Sequence, residues 1–264
     1  MEHEKLDVTD ASTEVVVELG DDYVATVEIR RPPNNFFDAD LIRQLAEVCE
    51  DLAAGGVCRS IVLCSQGRHF CAGANFGSSG SRSGGIGPHL YEIAIRLFEQ
   101  PLPIVAAIQG AAVGGGFGLA LAADFRVASP EARFSANFAR LGFHQGFALS
   151  VTLPAVVGQQ AALDLLYTGR RVNGEEAHRL GLCDRLVQPD VLRREAHALA
   201  AEIAESAPLA VRSIRQTMRG SLASQARAAM ERERPEQERL MRTEDWREGL
   251  TAVNERRSAN FIGK

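Results

Sequence analysis

An apolar run, Ile104 to Ile108, leads through Gly110 and Gly114-Gly115-Gly116 into the Ala- and Leu-rich stretch that ends at Ala122. This reads as a strand, a glycine turn and a helix, and it limits what can surround it. Three successive glycines at a helix start leave backbone N–H groups bare and let other backbone approach closely. A helix N-terminus carries roughly +0.5 charge, so such donors suit an anion or an oxygen that becomes anionic. No Asp or Glu occurs from Gly110 to Ala123, so the turn has no carboxylate within its own helix.

The bulk numbers fit one large domain, or a domain with an appendage: 264 residues, 45% hydrophobic and 24% charged. A net charge of −5 argues against nucleic acid as a partner. No apolar run approaches the ~18 residues of a membrane span, and the polar start Met1-Glu2-His3-Glu4-Lys5 is unlike a secretory signal. Cys49, Cys58, Cys64, Cys71 and Cys183 are an odd set without Cys-x-x-Cys spacing. They read as reduced thiols of a cytoplasmic protein, with no metal site expected.

Glu14–Leu19 and Tyr23–Arg30 flank Gly20-Asp21-Asp22 and predict a hairpin. Asp38 caps a predicted helix that runs to about Ala53 with apolar residues at Leu41, Leu45, Val48 and Leu52. Further strands are expected at Ser60–Cys64 and Phe125–Ala128, and a helix at Pro88–Phe98, an alternation that marks the α/β class. Residues 77–87 are Gly/Ser-rich and read as a loop. From Leu149 onward helices dominate: Leu149–Val157, Gln160–Tyr167, Gly174–Leu180, Asp190–Ser206, Pro208–Leu222, and two more between Gln225 and Arg257. The last of these segments is dense in Arg and Glu and reads as a solvated surface with i,i+4 pairs.

Four motifs in order carry a resemblance. They are Gly67-Arg68-His69-Phe70-Cys71-Ala72-Gly73-Ala74-Asn75-Phe76, the Gly114–Gly116 turn, Val172–Ala177 with Gly181–Val187, and the ending from Thr243 to Lys264. Together they resemble the crotonase superfamily, the enoyl-CoA hydratase/isomerase family, over nearly the whole chain. The resemblance implies a spiral of ββα units over residues 1–198. It implies a helical region over 199–264 that builds trimers, often paired into hexamers. It also implies an acyl-CoA thioester as substrate, as in fatty acid metabolism, with coenzyme A arriving on the substrate and no other cofactor. Ala72 and Gly115 would by position be the two backbone donors to the enolate oxygen. Cys71, Gly73, Ala74, Asn75, Gly114, Gly118, Asn137 and Phe138 would line the substrate site. Phe261 and Lys264 match C-terminal residues that reach coenzyme A of a neighbouring subunit in relatives.

The chain also departs from the pattern. The hydratases of this family position water with two glutamates. The matching positions here are Gly118 and Phe138, and no Asp or Glu occurs between Ala132 and Leu163. Water addition needs a general acid and base, which Gly and Phe do not supply. Other branches draw catalytic groups from the segment that here reads Leu141-Gly142-Phe143-His144-Gln145-Gly146-Phe147. His144 offers an imidazole, the side chain that changes charge near neutral pH, and Gln145 can orient a carbonyl or water. Both side chains also suit plain loop hydrogen bonding, and Phe76, Phe117, Phe138, Phe143 and Phe147 either narrow an acyl pocket or form ordinary core. Arg82 and His89 flank the Gly/Ser loop, and Asp124 reads as structural. Two functions stay open: an enolate-stabilising lyase or isomerase (isomerisation, C–C cleavage, decarboxylation, or an unusual hydration), or a non-catalytic acyl-CoA-binding protein.

Overall fold

The computed structural model describes residues 14–74 and 89–264. Strands β1 (Val15–Leu19) and β2 (Val24–Ile29) form the expected antiparallel hairpin, with Val15 opposite Ile29. Helix α1 (Ala39–Ala54) starts at Asp38, whose carboxylate accepts the Leu41 N–H at 2.9 Å, and strand β3 (Ser60–Ser65) follows. Helix α2 (Leu90–Glu99), strand β4 (Ile104–Ile108), strand β5 (Ala111–Val113) and helix α3 (Gly115–Ala122) carry the chain through the glycine turn. Strands β6 (Phe125–Ala128) and β7 (Arg133–Ser135) lead to α4 (Leu149–Val157) and α5 (Gln159–Thr168). Then come β8 (Arg171–Asn173), α6 (Gly174–Arg179), β9 (Arg185–Leu186), α7 (Leu192–Ala204), α8 (Pro208–Leu240) and α9 (Glu244–Glu255).

Six strands form one sheet in the order β1-β2-β3-β4-β6-β9, parallel from β2 onward. Strict alternation divides its residues between two cores. Ile61, Leu63, Ile104, Ala106 and Ile108 face α1, α2 and α3. Val62, Cys64, Val105, Ala107 and Val127 face α7, which meets them with Leu192, Ala196, Ala200 and Ala204. The expected boundary at 198/199 therefore falls inside a helix whose apolar stripe packs on the sheet.

A second sheet, β5-β7-β8, is extended by single bridges between Cys71 and Ala112 and between Phe37 and Ala74. Each turn of the chain thus adds a long strand to one sheet and a short rung to the other, the spiral architecture that the motifs imply. The rungs β5, β7 and β8 span three residues each, too few for alternation to mark them in sequence.

The C-terminal region differs from expectation in one respect. Instead of breaking between Leu222 and Gln225, the helix runs unbroken for 33 residues. Neither Gly nor Pro interrupts 221–225, and Ala226, Met230, Glu233 and Gln237 form one buried stripe at helical spacing. Arg232–Glu236 and Arg234–Glu238 are the expected i,i+4 pairs on the outer face.

Helix α8 is also tied to the sheet by charge. Asp124 accepts the Ile104 N–H at 2.8 Å and pairs with Arg215 at 3.1 Å and Arg219 at 2.5 Å. The Asp124 and Arg215 side chains are only 9% exposed. Removing one member of a buried pair leaves the other charge uncompensated, at a cost of about 3–5 kcal/mol. We expect Asp124→Ala to lose stability of that order, read as a lower urea midpoint, whereas Asp164→Ala at the exposed Arg170 pair shifts it by less than ~1 kcal/mol.

Candidate active site

The site begins with the backbone of the glycine turn. Gly114 has φ +56° and ψ −122°, a conformation closed to side chains, and its N–H donates to the Ser135 carbonyl at 2.9 Å. Its carbonyl accepts from Phe117 and Gly118, which starts α3 and leaves the Gly115 N–H without an acceptor among the described residues. Gly115 is half-buried and Gly116 buried; an added Cβ would meet the Phe37 ring at 2.2 Å on the first and the Cys71 sulfur at 2.7 Å on the second. Gly115 is therefore the residue at this helix start that combines partial exposure with an unengaged N–H among the described residues.

The other expected donor is engaged. The Ala72 N–H donates to the Asn34 carbonyl at 3.0 Å, so it is not bare as the Gly115 N–H is. The expectation for Cys71 is corrected. It is fully buried, its N–H donates to the Ala111 carbonyl and its carbonyl accepts from Val113, so it forms a rung of the second sheet instead of lining the site. Burial pushes its thiol up to about 12, which makes it inert. Gly73, with φ +94°, passes close to the Val113 carbonyl, and Ala74 bridges to Phe37.

Asn137 and Phe138 border the turn as expected: a Cβ on Gly114 would lie 3.5 Å from Asn137 Oδ1 and 3.8 Å from the Phe138 ring. Phe138 packs against Phe143, and Phe143 against Trp246 of α9, as tilted ring pairs with centroids 5.3 and 4.5 Å apart. Gly118 lies under Phe147. A Cβ there would sit 2.6 Å from Phe147 Cβ and 2.9 Å from its carbonyl oxygen. Phe147 is 1% exposed and packs edge-on to Phe37, centroids 5.8 Å apart. Phe147 thus leaves no room for a side chain at Gly118. Phe117 packs with Phe134 in the same core.

His144 and Gln145 lie on the segment that carries Phe147. His144 Nδ1 is 2.8 Å from the Gln145 carbonyl. A carbonyl only accepts, so Nδ1 bears a proton, and in the neutral ring the lone pair is then on Nε2, which has no partner among the described residues. Gln145 Nε2 donates to Ser150 Oγ at 3.0 Å.

Sequence reasoning missed the group beneath this segment. Glu233 of α8, read as part of a solvated helix, is fully buried. Its carboxylate accepts the Ala148 N–H at 2.9 Å, the Ser150 N–H at 3.1 Å and the Ser150 hydroxyl at 2.6 Å. It caps α4, because Ala148, the residue at the cap position, has no side-chain acceptor. Burial pushes its carboxyl upward, against the lowering effect of these hydrogen bonds and of His144. One turn on, Gln237 donates to the His144 carbonyl at 3.0 Å and accepts from the Tyr91 hydroxyl at 2.7 Å. The spacing of Ala226, Met230, Glu233 and Gln237 was the available signal, masked by the surrounding charge.

The remaining candidates lie elsewhere. Asn75, Phe76 and Arg82 fall outside the described residues. His89 caps α2 by accepting the Tyr91 N–H at 3.2 Å, and Asp124 is structural as expected. Phe261 and Lys264 are exposed in a tail held to Asp245, which accepts from Ile262 and Gly263 and donates to the Lys264 carbonyl. No contact among the described residues brings them to the glycine turn. Among the described residues no cluster of His, Cys, Asp or Glu suits a metal ion, and no helix is long and apolar enough to cross a membrane.

The family profile described as Enoyl-CoA hydratase/isomerase matches residues 20–264. A crotonyl-CoA hydratase of Syntrophomonas wolfei is 32% identical over 250 residues, covering 91% of this chain and 95% of that protein. The 1,2-epoxyphenylacetyl-CoA isomerase of Escherichia coli (strain K12) is 29% identical over 250 residues, covering 91% and 95%. A crystal structure of an enoyl-CoA hydratase/isomerase from Pseudoalteromonas atlantica T6c superposes with a TM-score of 0.87 at 29% identity, covering 95% of this chain and all of that one.

Two measurements follow from the packing and the burial. Gly118→Glu should destabilise the protein by at least ~2 kcal/mol through overpacking and a buried charge. In a Phe147→Ala background that increment should shrink by at least ~1 kcal/mol, because the two sites share one volume; denaturation of the four proteins gives both numbers. Glu233 holds its proton in the folded state above the ordinary unfolded value of ~4.3. The native chain therefore binds more protons there than the unfolded chain, and this contribution to stability falls as pH rises from that value through the raised one. Denaturation of Glu233→Gln from pH 4 upward should lack that decline; a wild-type and variant difference constant with pH would contradict it.

Proposed function

Because the chain belongs to the enoyl-CoA hydratase/isomerase family, we propose that it is an acyl-CoA enzyme of the isomerase or lyase type. In this reading it forms an enolate without adding water. The carrying observation is Phe147, which fills the space over Gly118 where a family hydratase holds one of its two water-activating glutamates. Phe138 stands at the position of the other.

The Gly115 N–H supplies the fixed donor to the thioester oxygen as negative charge develops there, a contribution of about 10²–10³ in rate for one such donor. Ala72 joins it by exchanging the Asn34 carbonyl for the substrate oxygen. His144 Nε2 takes and returns the proton, with Nδ1–H held on the Gln145 carbonyl so that the ring keeps one tautomer. Isomerisation fits this equipment best, since one base that removes and returns a proton leaves no net need for water. A decarboxylating or C–C-cleaving reaction uses the same oxyanion donors and needs His144 less. Acyl-CoA ligands suit a trimeric or hexameric assembly of this family, with the exposed Leu209, Ile214 and Met218 on α8 as contact residues.

The engaged Ala72 N–H favours a second reading, a protein that binds acyl-CoA without turnover. The deciding experiment mixes purified protein with crotonyl-CoA, a 3-enoyl-CoA, and β-keto and malonyl thioesters, each carrying ¹³C at the thioester carbonyl. We expect a downfield carbonyl shift on binding, turnover of a 3-enoyl, β-keto or malonyl substrate, and hydration of crotonyl-CoA at less than ~1% of that rate. His144→Ala should lower isomerisation by about 10²-fold or more. Rapid hydration of crotonyl-CoA sinks the proposal; a carbonyl shift without turnover of any thioester supports the binding protein. Direct mutation of Gly115 is a poorer test, because any Cβ there would lie 2.2 Å from the Phe37 ring.

A further inference from the structure

We propose that Glu233 is a positioning residue of this site: through Ser150 it sets the direction of the Gln145 amide. The inference rests on the functional reading above for its effect on rate, and on geometry alone for its effect on the side chain.

The argument follows the protons. Glu233 takes three donors on its two oxygens, and above its raised titration range, where it is ionised, it can only accept. It lies 2.6 Å from Ser150 Oγ, so the single hydroxyl proton of Ser150 is committed to it. With that proton spent, Ser150 Oγ presents only lone pairs to its other neighbour. That neighbour is Gln145, 3.0 Å away, and only the amide nitrogen of Gln145 can answer a lone pair. The amide is therefore held in one of its two flips, with Oε1 turned away from Ser150 and without a partner among the described residues. It presents an acceptor beside His144, whose Nδ1–H is held by the Gln145 backbone carbonyl. An acceptor in that place suits a hydrogen-bond donor on the acyl group, a hydroxyl or an amide N–H, and disfavours a bare carbonyl.

The same carboxylate fixes the backbone under these side chains. Phe147 and Ala148 have φ of +58° and +59°, a left-handed pair that non-glycine residues seldom adopt. The Ala148 and Ser150 N–H groups that follow this kink both donate to Glu233. Nearby, Gln237 of the same helix holds the His144 carbonyl and the Tyr91 hydroxyl. Helix α8 thus reaches residues 144–150 with two polar side chains.

Ser150 separates the two roles of Glu233. Ser150→Ala removes the link to Gln145 and keeps both backbone hydrogen bonds, so the fold should keep its thermal midpoint within a few degrees. We expect kcat of Ser150→Ala to fall about tenfold with KM within twofold, and Ser150→Thr, which restores the hydroxyl, to recover it. Gln145→Leu should lose at least as much, and the double variant should be no slower than Gln145→Leu. Full kcat in Ser150→Ala, or losses that multiply in the double variant, overturns the proposal. Crystal structures of wild type and Ser150→Ala test it without turnover. The Gln145 amide should leave its place in the variant, and an amide that stays overturns the proposal even if no thioester is a substrate. Should the amide move while no thioester reacts, the positioning chain stands and the enzymatic reading falls.

Discussion

The close approach of other chain segments to helix α3 is the constraint on which the rest of this structure depends. Cys71 lies against Gly116, the Phe37 ring against Gly115, and Phe147 against Gly118. No side chain beyond hydrogen fits at these positions without displacing backbone or a buried ring. The two sheets, the turn between β4 and α3, and the segment that leads to α4 meet at this helix. Because interiors pack at crystal-like density, a change at any of the three glycines is felt by all of them. The same absence of side chains leaves the Gly115 N–H approachable.

That packing also explains how one scaffold can serve different chemistry. A carboxylate at Gly118 would need the volume that Phe147 occupies. Phe147 in turn sits at a left-handed kink, and Glu233 braces the turn that follows. The lack of room for a side chain at 118 is therefore built into at least three segments of chain. The polar side chains nearby lie on residues 144–150 and on the helix beneath them.

Buried polar groups are costly unless satisfied, and the cluster around Glu233 is satisfied at each step. Its carboxylate takes three donors, Ser150 bridges to Gln145, and Gln237 bridges Tyr91 to the His144 carbonyl. In a low-dielectric setting such a network fixes side-chain directions more firmly than any single bond. The burial that raises the Tyr91 hydroxyl above its ordinary range also keeps it a neutral donor to Gln237.

The sequence by itself determined the element types, because they rest on local chemistry. Apolar and β-branched runs marked β2, β3 and β4, Asp38 marked the start of α1, and the triple glycine marked the turn at the head of α3. It also determined that no carboxylate stands at 118 or 138. Tertiary structure decided everything that joins distant residues. Whether Ala72 has a free N–H depends on Asn34, 38 positions earlier. Whether Gly118 is open depends on Phe147, and whether Glu233 meets water or caps a helix depends on where α8 crosses residues 148–150. Local pattern encodes periodicity and propensity, whereas hydrogen-bond partners and excluded volume are set by segments that meet only once the chain has folded.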